Sequence, residues 1–171
     1  MHLTLTTCTI RYWQLGDELA LAKHANNYNI WINLRNSFPY PYTLQDAQNW
    51  IILANAIEPV TNFALEVNGE AVGGIGLVLQ PDVYSKSAEI GYWLSEIYWN
   101  RGIVTEALKA MTKYGFEILK LERMYAAVFD WNLKSARVLE KAGYHFEGKL
   151  LKSVYKNGQL IDSLLYATTK E

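Results

Sequence analysis

The chain has 171 residues, enough for one domain with a proper core and too few for two comfortable ones. Half of the residues are hydrophobic and 19% are charged, an ordinary globular composition that excludes a disordered or low-complexity chain. The formal net charge of -1 excludes a global attraction to nucleic acid or anionic membrane, so any recognition of anions has to be local.

Thr4 to Trp13 reads as a strand, and Asp17 is placed to cap a short helix over Glu18 to Ala25. A second short helix carries Trp31 and Leu34. Phe38 to Tyr42 (FPYPY) is predicted to be a rigid aromatic loop, because the residue before each proline is pushed to extended conformations. Thr43 then caps a helix whose Ala47, Trp50, Ile51 and Ala54 share one apolar face, with Asp46 in the reciprocal position of a capping box.

Three strands follow, Asn62 to Val67, Ala71 to Leu79 and Ser87 to Leu94, the first two joined by Asn68-Gly69, a strong hairpin signal. Gly102 to about Leu119 forms a long helix and Arg123 to Phe129 a strand. A helix from Asn132 or Leu133 to Ala142 is stopped by Gly143, and Asn157-Gly158 joins the closing strands, Phe146 to Tyr155 and Leu160 to Thr168. This order predicts an α/β (α+β) fold, a mixed sheet covered by helices in one domain over residues 1 to 171.

The most informative stretch runs from Glu89 to Ala110, where an apolar strand enters a loop with Arg101 and Gly102 and passes straight into a helix. The first turn of a helix leaves backbone N–H groups without intrahelical partners and carries a partial positive charge, which suits phosphate oxygens. Gly102 admits a ligand to the main chain, Arg101 adds a fixed charge and Thr105 a hydroxyl. Two nucleotide motifs are excluded on spacing. Gly73, Gly74 and Gly76 lie in a stretch that continues as a strand, which suits close packing or a bulge, and Gly102 is not followed by the Lys-Ser/Thr of a P-loop.

Cys8 is the only cysteine, so no internal disulfide or thiolate metal site can form, and His2, His24 and His145 have no partners at metal-ligand spacing; they read as surface or packing residues. No metal is expected. MHLTLTTCTIRYW does not read as a signal peptide and no apolar run approaches a membrane span, so a cytoplasmic protein without membrane contact is expected.

YWNRGIVTEA together with VFDWNLKSARVLEKAGYHFEG, Val128 to Gly148, resembles the GNAT superfamily of acyl-CoA-dependent N-acetyltransferases, in its RimJ/RimL-like branch. FPYPYT, VGGIGL and EIGYWL extend the likeness over most of the chain. The resemblance implies a mixed, mostly antiparallel twisted sheet with a splayed central strand pair, and acetyl-CoA as the acyl donor. Trp99, Asn100, Arg101, Gly102, Ile103, Val104 and Thr105 correspond to its pyrophosphate loop, with Trp99 in the Gln/Arg position and Val104 in place of the final small residue. Tyr92, Trp93 and Leu94 would hold the pantetheine arm beside the splay, with an N–H near Leu94 taking the oxyanion.

Asn132 and Ser135 match the branch's Asn-x-x-Ser pattern, implying a hydrogen bond to pantetheine and proton donation to the departing thiolate; helix capping is the competing role for Asn132. Many relatives place a tyrosine acid four residues before the glycine of the GY pair, and here that position is Leu139. Glu89 is the implied general base, acting through water, with an ion-paired or exposed strand residue as the alternative. Trp31, Asn33, Arg35, Phe38, Tyr40 and Tyr42 fall where the family builds its acceptor wall, which suits a small amine or a peptide N-terminus; a packed loop is the competing role. Two other classes stay open, a non-catalytic acyl-CoA-binding module and a peptide- or ribosome-binding accessory protein. The near-neutral charge argues against direct nucleic-acid contact, and the aromatics to spare leave a homodimer open.

Overall fold

Both Asn-Gly pairs make the turns their chemistry demands, with Asn68 and Gly69 at φ +53° and +81° and Asn157 and Gly158 at +49° and +76°. The computed structural model describes residues 1–171. Its elements are β1 (His2–Thr4), β2 (Thr9–Arg11), α1 (Glu18–Ala25), α2 (Tyr28–Trp31), α3 (Leu44–Ala56), β3 (Asn62–Val67), β4 (Glu70–Leu79), β5 (Ser87–Leu94), α4 (Ile103–Glu117), β6 (Arg123–Phe129), α5 (Leu133–Lys141), β7 (His145–Lys156) and β8 (Gln159–Thr169). The strands form one open, mostly antiparallel sheet in the order β1-β2-β3-β4-β5-β6-β8-β7, with β5 and β6 parallel. Contacts divide the chain into two units, Met1–Gly76 with Tyr92–Ala107, and Leu77–Gly91 with Leu108–Glu171.

In the first unit Trp13, Leu21, Ala25, Tyr42, Ala47, Ile51, Ala54, Ala64 and Ala71 form a buried cluster, with Phe38, Trp50 and Trp93 packed against it. The predicted capping box is present, Thr43 and Asp46 each accepting from the other's backbone. The glycines of β4 permit a close approach: a Cβ on Gly73 would lie 2.5 Å from the Trp93 carbonyl oxygen, and one on Gly74 2.8 Å from its indole nitrogen. Close packing is therefore their role.

The structure departs from the sequence-based expectation in three places. The strand expected over Thr4 to Trp13 is a hairpin of β1 and β2. Leu5 N–H donates to Cys8 O at 2.9 Å, and the N–H groups of Thr6 and Thr7 donate to the Glu106 carboxylate at 2.8 and 2.9 Å. Because a distant side chain satisfies those donors, no Gly or Pro marks the turn. Asp17 precedes α1 but does not cap it with its side chain. That carboxylate instead takes two bonds from the Arg11 guanidinium, at 2.7 and 2.9 Å, and one from Gln14 N–H at 2.9 Å. Leu34 lies beyond the end of α2, in a turn.

In the second unit β6 pairs along its whole length with β8, and β7 closes the hairpin with β8. The β5–β6 ladder covers three residue pairs, stopping at Glu89 and Tyr125, whereas β6 continues to Phe129. Alternation along β5 follows the expected pattern, with Ala88, Ile90 and Leu94 buried and Gly91 exposed. Gly115 of α4 lets Met124 of β6 pack close, its absent Cβ falling 2.5 Å from the methionine sulfur. Thr112 and the buried Tyr144 share a hydrogen bond of 2.8 Å, and burial pushes the Tyr144 hydroxyl up to about 12 against that bond.

Candidate cofactor and active site

The loop between β5 and α4 is built by local hydrogen bonds. After buried Leu94, Ser95 N–H donates to Val72 O at 2.8 Å, and residues 96–98 make one 3-10 turn with Tyr98 N–H on Ser95 O at 2.9 Å. The Trp99 indole N–H donates to Leu94 O at 2.8 Å and closes the turn. The tryptophan that stands in the Gln/Arg position is thus a structural latch. Ser95 N–H is committed to Val72, which removes it as an oxyanion donor.

Beyond Trp99 the backbone turns left-handed twice, at Asn100 (φ +62°) and Gly102 (φ +78°), on either side of Arg101. Alternation of this kind points successive N–H groups into a concavity that receives anions. A Cβ on Gly102 would meet no heavy atom within 4 Å, so the space before the loop is open. Gly102 O accepts from Glu106 N–H at 3.0 Å, starting a 15-residue helix whose dipole adds positive potential. Ile103 is buried, Val104 and Thr105 are half-buried, and Arg101 is exposed with its guanidinium 5.2 Å from the Tyr98 ring centre.

Glu106, in the first turn of α4, would oppose an anion if its charge were unscreened. Burial raises its pKa, but the Thr7 hydroxyl and the backbone N–H groups of Thr6 and Thr7 outweigh burial and hold the carboxyl below its ordinary value. Its charge is committed to the β1–β2 turn. Sequence reasoning saw no role for Glu106, because its partners lie 99 and 100 residues away.

In the second unit Glu89 is half-buried at the last β5–β6 pair. Asn132 is the N-cap of α5, its side-chain oxygen accepting from Ser135 N–H at 3.3 Å. The cap uses the amide oxygen and leaves donation to the NH2 group, so capping and ligand binding are compatible. Ser135 is half-buried one turn into the helix, and Leu139 is fully buried with no proton to give.

The expected acceptor residues separate into two groups. Phe38 packs on Tyr42 (ring centres 4.9 Å apart) and Trp93 (5.8 Å) against the core, so for Phe38 and Tyr42 packing is the evident role. Trp31 stacks on Tyr40 at 5.5 Å, and Tyr28, absent from the sequence-based set, contacts both rings at 5.6 and 5.8 Å. Asn33 donates to Asn29 O at 2.9 Å and Arg35 is exposed. No group of three or more His, Cys, Asp or Glu could hold a metal ion, and no helix is long and apolar enough to cross a membrane.

The family model for the acetyltransferase (GNAT) domain matches residues 8–145. YjcK of Bacillus subtilis strain 168, a probable N-acetyltransferase, is 48% identical over 73 residues, 43% of this chain and 40% of that protein. The spermidine N(1)-acetyltransferase of Escherichia coli K12 is 34% identical over 97 residues, 57% of this chain and 52% of that protein. The matches thus span about half the length of these curated relatives. Among solved structures, RimL, a ribosomal L7/L12 α-N-protein acetyltransferase in complex with coenzyme A, shares the fold. Its TM-score is 0.87 at 20% identity, covering 99% of this chain and 98% of that one.

Proposed function

We propose that this chain, which belongs to the GNAT acetyltransferase family, is an acetyl-CoA-dependent N-acetyltransferase acting on a primary amine, with residues 1–171 working as one catalytic domain. The observation that carries this is the loop at residues 99–105, where left-handed Asn100 and Gly102 open onto free space at the start of a 15-residue helix. Such a cradle fits a pyrophosphate through backbone N–H groups that do not depend on side-chain identity, so Val104 does not spoil it. Tyr92, Trp93 and Leu94 would border the pantetheine arm, and Asn132 would donate to its amide through the NH2 group that capping leaves over.

Acetyl-CoA supplies an acetyl group activated as a thioester. An alkyl ammonium with pKa of about 10 cannot attack until a base takes its proton, and Glu89 is our candidate, acting through water. The Leu94 N–H would bind the oxyanion. Ser135 would pass its hydroxyl proton to the leaving sulfur while taking one from water, or would hold the water that protonates the sulfur, the role that Leu139 cannot fill. The buried Leu139 also favours the second reading, an acyl-CoA-binding module without turnover.

For the acceptor we infer an amine presented to Trp31, Tyr40, Asn33 and Arg35, either a peptide N-terminus, as the name of RimL describes, or a small amine such as the substrate named for the spermidine enzyme. We place the reaction in the cytoplasm, with no metal, membrane or direct nucleic-acid partner. The exposed Phe146, Leu151, Tyr155 and Leu160 of the β7–β8 hairpin support a homodimer.

A thiol-release assay with acetyl-CoA over a panel of polyamines, amino acids and N-terminal peptides tests this. Cys8 gives little background, since burial first and the nearby Glu106 charge second push its thiol up to about 11. Amine-dependent thiol release is the expected result. Tight CoA binding without release from any amine would establish the binding module instead.

A further inference from the structure

His24 is a polar residue on the buried face of α1, between Leu21 and Ala25, with its side chain only 3% exposed. Its Nδ1 is 2.9 Å from the Ser95 hydroxyl oxygen. Its Nε2 lies 3.3 Å from a Glu70 carboxylate oxygen but is not aligned for a hydrogen bond, and Lys23 pairs with the same oxygen at 2.7 Å. The imidazole edge also meets the Tyr98 ring, centres 6.2 Å apart at 66°. All these contacts lie within the first unit.

They form a chain that ends on a charge. Ser95, held by His24, begins the turn at residues 95–98 and accepts the Tyr98 N–H. Tyr98 in turn lies between the imidazole on one side of the chain of contacts and the Arg101 guanidinium at 5.2 Å on the other. An arginine on an exposed loop has many rotamers, and an aromatic face selects among them. An apolar residue at position 24 would satisfy the packing of α1 as its neighbours Leu21 and Ala25 do. A buried imidazole needs a polar partner, and that partner is the first residue of the turn that carries Tyr98.

We propose that His24 and Tyr98 are positioning residues for acetyl-CoA binding: His24 fixes the turn through Ser95 and braces Tyr98, and the Tyr98 ring holds Arg101 in the orientation that meets the cofactor's phosphates. This rests on the phosphate-loop assignment of residues 99–105. Neither residue touches the reacting atoms, so the effect falls on acetyl-CoA affinity and not on turnover at saturation.

The test is a double-mutant cycle read by calorimetric CoA titration and by steady-state kinetics. Tyr98→Leu should weaken CoA binding roughly 2- to 5-fold, the scale of an exposed cation–π contact, with kcat at saturating acetyl-CoA unchanged. Tyr98→Phe, which keeps the ring face, should bind as wild type. In an Arg101→Ala background Tyr98→Leu should add nothing. His24→Leu should raise KM for acetyl-CoA in the same way and His24→Asn, with a polar group near the Nδ1 position, should restore it; thermal melting of each variant separates this from lost folding. The proposal is overturned if Tyr98→Leu costs as much in the Arg101→Ala background as alone, or if Tyr98→Phe is as weak as Tyr98→Leu. It is also overturned if Arg101→Ala binds CoA normally, and then Gly102→Asp shows whether the phosphate loop itself still stands.

Discussion

Gly102 allows backbone strain and ligand repulsion to be separated by two substitutions at one atom. Its φ of +78° is unfavourable for any residue with a Cβ, at a cost of about 1–2 kcal/mol. The space in front is open, so alanine introduces strain without a clash. For a chain of this size that lowers Tm by about 2–8 °C. The strain is present with and without ligand, so the affinity of Gly102→Ala for CoA should change by less than about threefold. Gly102→Asp adds no more strain, since aspartate tolerates left-handed backbone better than alanine, but it places a carboxylate where the phosphates are expected. Two unit charges about 4 Å apart repel by about 1 kcal/mol in water and about 4 kcal/mol near a protein surface, so CoA should bind about 5- to 1,000-fold more weakly. Calorimetric titration with CoA and thermal melting measure the two effects, and the Asp penalty should shrink at high salt. If Gly102→Asp bound CoA as tightly as Gly102→Ala, residues 99–105 would not be a phosphate loop.

Other substitutions test the catalytic assignments and the anchors around them. Glu89→Gln should lower kcat by about 100- to 10,000-fold at neutral pH and move the pH optimum upward, where free amine exists without a base, with acetyl-CoA affinity unchanged; an unaltered pH profile removes Glu89 from the mechanism. Ser135→Ala should slow turnover, and a wild-type rate would leave the acid to water alone. Asp17→Ala leaves Arg11, whose side chain is 6% exposed, with Glu66 as its remaining ion-pair partner, and should cost about 1.5–3 kcal/mol in urea unfolding. A loss below about 1 kcal/mol would mean that the pair behaves like an exposed one. Glu106 has a depressed pKa in the folded state, so its contribution is present above its ordinary value of 4.5 and is lost as pH falls through the lower folded value. The stability gap between wild type and Glu106→Gln should therefore be widest near neutral pH and close on acidification; a gap independent of pH would contradict the depressed pKa.

Where structure is set by neighbours in sequence, it was legible. Asn-Gly turns, the Thr43–Asp46 box and Gly143 after α5 each depend on a few consecutive residues, and the strands from Asn62, Ser87 and Arg123 begin where alternation places them. The errors fall where a side chain far along the chain decides the local outcome. The alternating residues from Thr4 to Trp13 fit one strand until Glu106, about a hundred residues on, ties down Thr6 and Thr7. Asp17 has the composition of a cap, but the buried Arg11 offers it a charged, two-toothed partner, which outweighs a single backbone N–H.

The same distinction governs the candidate site. The loop we propose for the phosphates could be read from the sequence as a candidate because such a cradle is made of consecutive backbone, and a strand followed by Asn-Arg-Gly and a helix is enough to suggest it. Its support was not legible. His24 and Ser95 are 71 residues apart, and neither has a motif around it. One signal was available, a histidine spaced with Asp17, Leu21 and Ala25 on the helix face that becomes buried. An imidazole on such a face needs a polar partner, so its presence says that the face meets more than aliphatic side chains. The aromatic segment from Tyr28 to Tyr42 shows the limit of composition: Phe38 and Tyr42 went to the core and Tyr28 and Tyr40 to the surface, although all are large and apolar. Ring counting cannot make that division, because it is set by which rings meet the buried cluster, where Tyr42 sits and Phe38 packs on both Tyr42 and Trp93.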